Sequence, residues 1–208
     1  MRKRNPRKAR IYADGEWGID TDGLVFTNWR VADIDENELA GKLEHRVGLD
    51  FGYRDPTTII PSFYDKAAAT IYIYGEWYQS GAQLDEVAAA VNTMGLRKSK
   101  IVCDSAEPRS IDFLRSKGLN AVAAAKGQNS VQARIAFLQN HEIVVSPNCV
   151  NVIRELENFS YIKDTKTDKY TDKMTHEYSH TIDALGYAYS DIYRQSRLGT
   201  LDKRVLGL

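Results

Sequence analysis

The stretch Arg46-Val47-Gly48-Leu49-Asp50-Phe51-Gly52-Tyr53-Arg54-Asp55-Pro56-Thr57-Thr58-Ile59-Ile60-Pro61-Ser62-Phe63-Tyr64 decides how this chain folds. Its β-branched and aromatic residues predict one strand over 46–52 and a second over 57–64, joined by the turn-prone Arg54-Asp55-Pro56. A third strand is expected over 70–78, rich in Ile and Tyr at β spacing, and the tight connections make the three an antiparallel meander. The pattern then changes. Leu84, Val87, Ala88 and Val91 recur at helical spacing within 83–94, Gly95 closes that helix, and 100–103 is a fourth, apolar strand. A strand, helix, strand order requires a right-handed crossover, which lays the fourth strand parallel to an earlier one.

Working outward, a helix over 108–118 starts at Pro108 and stops at Gly118. A fifth strand over 120–124, a helix over 131–139, a strand over 143–145 and a helix over 149–158 come next. Residues 161–170 read as a lysine-rich hairpin or loop, and a closing helix is expected over 177–193. Upstream, Gly15 to Trp29 holds two short strand-like pieces around Asp20-Thr21-Asp22-Gly23, and the acidic segment 33–44 reads as a linker. The predicted organisation is a basic arm and linker over 1–44, one α/β domain over 45–196 and a tail over 197–208. Three antiparallel strands followed by helix, strand, helix, strand resembles the RNase H-like order, a mixed sheet flanked by helices. That resemblance implies that the first and fourth strands lie side by side at the centre of the sheet.

The chain has 208 residues, 43% of them hydrophobic, enough for one globular domain with a real core. No apolar run reaches the ~20 residues a membrane helix needs, so no membrane partner is expected and the cytoplasm is the default location. Cys103 and Cys149 have neither disulfide density nor zinc spacing and read as small buried residues. The formal net charge of +0 removes any global electrostatic reason to bind nucleic acid. The first ten residues are nevertheless strongly basic and fit a solvated arm able to touch phosphates.

Three carboxylates stand out by position: Asp50 in Val47-Gly48-Leu49-Asp50, Asp104 in Ile101-Val102-Cys103-Asp104, and Asp183 in His180-Thr181-Ile182-Asp183. Each ends or interrupts an apolar segment, where a buried carboxylate needs partners. If they converge, they raise one another's pKa and call for compensating divalent cations, Mg²⁺ or Mn²⁺. His180 lies three positions before Asp183, on the same helical face, and fits an additional ligand, a proton shuttle or a partner holding an aspartate in place. Lys126, in a glycine-containing turn that opens a helix, is a candidate phosphate contact. Glu107 is read as a helix cap or a partner of Arg109. His45, His141 and His176 are read as structural or solvated.

The segments 47–53, Cys103-Asp104-Ser105-Ala106-Glu107-Pro108-Arg109-Ser110-Ile111 and His176-Glu177-Tyr178-Ser179-His180-Thr181-Ile182-Asp183-Ala184-Leu185 resemble, in order, the three acidic motifs of a known family. It is the nuclease domain of the large terminase subunit of tailed bacteriophages and prophages. The Lys126 loop is similar to that family's basic loop, and 15–18 with 24–26 to the stretch joining its ATPase motor to the nuclease. The resemblance implies an endonuclease that cuts double-stranded concatemeric viral DNA with two divalent ions, in the host cytoplasm. Asp50 would bridge the ions, Asp104 and Asp183 would each complete one site, His180 would ligate or orient, and Lys126 would meet the scissile phosphate. It also implies an ATPase domain, a small terminase subunit and a portal as partners. No Gly-x-x-x-x-Gly-Lys-Ser/Thr loop occurs in the sequence. The chain is therefore expected to be an excised or truncated C-terminal part, without translocation of its own. Other RNase H-like nucleases (junction resolvases, transposases), an actin-like ATP binder and a non-catalytic motor-docking module remain alternatives.

Overall fold

In chain order the elements are β1 (Trp29–Val31), α1 (Glu36–Leu39), β2 (Glu44–Asp50), β3 (Pro56–Asp65), β4 (Thr70–Ile73), β5 (Trp77–Ser80), α2 (Leu84–Thr93), β6 (Ile101–Cys103), α3 (Pro108–Ser116), β7 (Ala121–Ala123), α4 (Ser130–Gln139), β8 (Glu142–Val145), α5 (Val150–Asn158), β9 (Tyr161–Lys163), β10 (Tyr170–Met174) and α6 (His180–Ala188). The structure, a computed structural model, describes residues 23–125 and 130–193. The basic arm, residues 15–18, Lys126 and the tail over 197–208 lie outside the described residues.

The main sheet runs β1-β8-β4-β3-β2-β6-β7, with β5 also beside β3. Among the described residues only β3 opposes its neighbours in this sheet, so the carboxyl ends of β2, β6 and β7 share one edge. β2 and β6 are central and parallel, as the sequence order implies, with Gly48 opposite Val102 and Leu49 opposite Cys103. This is a mixed α/β sheet of RNase H-like type.

Alternation along the strands separates two cores. Val47, Leu49, Ile59, Ile101 and Cys103 pack under α2 and α3. On the other face, Ile60, Tyr64, Ile71, Ile73, Ile143 and Val145 pack with residues of α4, α5 and α6. α6 therefore belongs to the face toward which Gly48 turns.

The expected third strand is two. β4 leaves β3 at the pair Ser62–Ile73 and β5 resumes at Ile59–Trp77, so four steps on one strand oppose three on the other. The surplus residue interrupts the ladder as a bulge does, and Pro61, with no N–H to donate, sits at the break. The interruption places Glu76 over the start of α5, where its carboxylate accepts from the Asn151 amide at 3.0 Å and the Val152 amide at 2.9 Å.

Residues upstream of the expected core join it. Val25 and Phe26 are buried, β1 adds parallel to β8, and the acidic segment contains α1, capped by Asp35. The closing helix starts at His180 rather than at 177. The Ser179 hydroxyl donates to the His176 carbonyl at 3.1 Å, which holds 176–179 as a turn and leaves Glu177 off the helical face of Asp183. β9 and β10 form a separate two-stranded antiparallel hairpin. No helix among the described residues is long and apolar enough to cross a membrane.

Candidate active site

Asp50 ends β2 and Asp104 directly follows β6. The parallel register makes positions 50 and 104 neighbours at one edge, and the Asp104 amide donates to the Leu49 carbonyl at 3.1 Å. Alternation puts both on the face opposite Leu49 and Cys103, which is the α6 face. The third aspartate arrives because of a glycine. A Cβ at Gly48 would stand 1.7 Å from the Ala184 carbonyl oxygen, so only glycine lets α6 approach β2 this closely. The first turn of α6 then carries His180 and Asp183 beside Asp50.

Asp50 is 8% exposed, and burial pushes its carboxyl up to about 6. The nearby charges of Asp183 and Asp104 push the same way, while His180 opposes them. The His180 Nδ1 stands 3.6 Å from Asp50 Oδ2, too far for a well-formed hydrogen bond and close enough for strong charge attraction. Pairing with Asp50 raises the His180 pKa against the effect of burial, with Glu155 adding to it. The backbone that carries the ring is anchored, since Thr58 Oγ1 donates to the His180 carbonyl at 3.0 Å. Asp104 is half-buried and its Oδ1 accepts from the Ala106 amide at 2.9 Å, so it also caps the turn leading to α3.

Asp183 has a cation already. The Arg134 guanidinium, from α4, donates to Asp183 Oδ1, and Ser179 Oγ lies 3.3 Å from Oδ2, its single proton shared with the His176 carbonyl. Burial raises the Asp183 pKa and Arg134 pulls it down. Arg134 is 7% exposed, its guanidinium 5.3 Å from the Tyr187 ring centroid, and its stem fills the space over Gly186, where a Cβ would stand 1.9 Å from Arg134 Cδ. Sequence reasoning missed Arg134. Its one signal was Gly186, a helix-weakening residue within an apolar helical segment.

Glu155 was missed as well. It is 2% exposed and its Oε2 accepts from the Thr181 amide at 2.7 Å and Oγ1 at 2.6 Å, pinning the start of α6. Glu107 stands at the N-cap position of α3, but its side chain makes no capping bond to the helix backbone and instead accepts from the Ser110 hydroxyl at 3.2 Å. His45 bonds to the Tyr74 hydroxyl and His141 to the Phe137 carbonyl, so both are structural. Burial pushes both cysteine thiols up to about 12, which makes them inert. His176, read as solvated or structural, is exposed and lies beside His180 and Asp55. The donor atoms of these three all fall within 4.8 Å of one another.

A family model described as "Terminase RNAseH like domain" matches residues 50–191. The large terminase subunit of Bacillus phage SPP1 is 33% identical over 196 residues, covering 91% of this chain and 46% of that protein. The PBSX phage terminase large subunit of Bacillus subtilis (strain 168) is 32% identical over 212 residues, covering 99% and 48%. The chain thus spans about half the length of these relatives. The crystal structure of the SPP1 g2p (large terminase) nuclease domain with bound Mn superposes with a TM-score of 0.72 at 33% identity, covering 79% of this chain and 96% of that one. With two acidic strand ends side by side, a histidine and an aspartate delivered by the last helix, and these matches over most of its length, the chain belongs to the terminase RNase H-like domain family.

Proposed function

We propose that this chain is a divalent-metal-dependent endonuclease that cuts double-stranded concatemeric viral DNA during genome packaging in the host cytoplasm. The observation that carries the reading is the pairing of Asp50 with Asp104 at the carboxyl edge of parallel β2 and β6, with Asp183 brought over Gly48 by α6. The donor set fits hard cations. Carboxylate oxygens suit Mg²⁺ or Mn²⁺, and an Asp50 carboxyl held near 6 among other carboxylates is one that a cation would stabilise as the anion. Asp50, Asp104, Asp183 and His180 would hold two such ions, which supply an activated water and stabilise charge on the leaving oxygen.

The remaining work falls to the protein's own groups. Asp50 and Asp104 set the separation of the carboxylates through strand register. Asp183 is oriented by Arg134 at Oδ1, with Ser179 Oγ beside Oδ2. His180, held by Thr58 and facing Asp50, can accept a proton at the edge where water meets the phosphodiester. Lys126 is assigned to the scissile phosphate on sequence grounds. A packaging ATPase, a small terminase subunit and a portal are the partners that this role requires.

The test is plasmid cleavage with Mn²⁺ or Mg²⁺. Asp50→Ala, Asp104→Ala and Asp183→Ala should each abolish metal-dependent cutting, and cutting that survives all three rejects the assignment. Comparing linear duplex with four-way junctions separates this activity from that of a resolvase.

A further inference from the structure

A second constellation of ligating groups adjoins the carboxylate edge. Asp55 belongs to the connection between β2 and β3, His176 to the turn ahead of α6, and His180 to the first position of that helix. One donor atom from each lies within 4.8 Å of the other two, which no other group of three ligating side chains among the described residues does. We propose that Asp55, His176 and His180 form a further cation site, sharing His180 with the carboxylate edge, for a late first-row ion such as Zn²⁺ or Co²⁺.

The chemistry differs from that of the three aspartates. Two imidazoles and one carboxylate make a borderline-soft set with room for solvent, whereas an all-carboxylate set favours Mg²⁺ or Mn²⁺. Asp55 and His176 are exposed and His180 is buried, so the site opens outward and rests on a fixed inner ligand.

The scaffold around it is tied down at both histidines. Ser179 Oγ holds the His176 carbonyl at 3.1 Å and Thr58 Oγ1 holds the His180 carbonyl at 3.0 Å, which links the site to the start of β3. The two imidazole rings meet edge to face, with centroids 5.7 Å apart. Behind His180, Nδ1 faces Asp50 Oδ2 at 3.6 Å. At that distance the Asp50 carboxylate acts on the imidazole by charge rather than through a formed hydrogen bond, and its negative charge favours a cation held at His180, so Asp50 would serve both sites. His180 is then the group through which the two sites sense each other.

The experiment is titration of the full chain with Zn²⁺ by calorimetry and with Co²⁺ by visible absorption, without DNA. Beyond any Co²⁺ taken up at the three aspartates, one equivalent with low-symmetry, nitrogen-containing ligation is expected. It should persist in Asp104→Asn and be lost in Asp55→Asn and in His176→Gln, both of which change exposed side chains. Asp50→Asn should weaken it by about 10- to 100-fold. Unchanged binding in Asp55→Asn and His176→Gln, with circular dichroism showing all variants folded, overturns the proposal, as does loss of the equivalent in Asp104→Asn. Because no cleavage is read, a failed nuclease assay and a failed second site give different results.

Discussion

Arg134 and Asp183 form the most consequential side-chain pair in the molecule, since both are largely withdrawn from water and each is the other's main counter-charge. Removing one partner of a buried pair leaves an uncompensated charge, so Arg134→Met should destabilise the metal-free protein by about 3 to 5 kcal/mol. Added Mn²⁺ should recover part of that loss by taking over compensation of Asp183. Urea unfolding with and without Mn²⁺ measures both, and equal losses in the two conditions would contradict the role given to Asp183. Asp50 yields a pH prediction. Its folded value of about 6 lies above the ordinary ~3.9. Between the two values the folded chain binds the proton more tightly than the unfolded chain, so stability falls as pH rises through this window. The His180 pairing acts with the same sign. Its raised pKa gives stability that is complete below the unfolded value and is lost as pH climbs through the folded one. The metal-free protein should therefore lose stability from about pH 4 to about pH 6 through Asp50, on the order of 3 kcal/mol, with His180 extending the loss above its ordinary value. Asp50→Asn should flatten the slope, and urea midpoints across that range would show it.

At the level of elements, the site depends on how closely α6 approaches β2. Gly48→Ala places a Cβ where the Ala184 carbonyl oxygen now stands, and the sheet offers no slack there because β2 is bonded to β3 on one side and β6 on the other. Displacing α6 should cost about 1 to 3 kcal/mol, typical of overpacking, and separate Asp183 from Asp50. The variant should keep its far-ultraviolet dichroism yet bind Mn²⁺ more weakly than the unmodified chain, and full Mn²⁺ affinity would refute this geometry. The same region defines what the sequence could disclose. The neighbouring of Asp50 and Asp104 was legible because crossover handedness and the resemblance in strand order fix which strands pair. The entry of α6 was not, because a glycine inside a strand gives no indication of what fills the space above it. The split between β4 and β5 hid behind continuous β-forming residues, with Pro61 and Gly75 as faint signals. Arg134 looked like an ordinary surface arginine on a helix, since its partner lies 49 residues away. Asp55 and His176 sat in loops, whose convergence no local periodicity encodes.

For the molecule as a whole, charge balance determines how DNA can be held. Lys and Arg number 28 and so do Asp and Glu, and the candidate site itself gathers carboxylates rather than bases. Affinity for a duplex grows with the number of phosphates neutralised, and each contact steepens the loss of binding with salt. The lysines of the β9–β10 hairpin do not break the balance, because Lys163 is paired with Asp168 at 2.7 Å and Asp164 and Asp172 lie among the rest. Divalent ions at the aspartates would turn a repulsive edge into an attractive one, so duplex binding should depend on metal as well as on salt. Fluorescence anisotropy with a short labelled duplex and Ca²⁺, which supports binding at carboxylates while slowing cleavage, should give weak affinity, with Kd on the order of 10⁻⁴ to 10⁻⁶ M. Its salt slope should correspond to only a few phosphates, and chelation should weaken binding further. Tight binding that survives chelation and falls steeply with salt would mean that a basic surface outside the described residues, such as the arm over 1–10, carries the DNA. Repeating the titration after deletion of residues 1–10 isolates that contribution, and an unchanged affinity assigns binding to the metal-loaded edge.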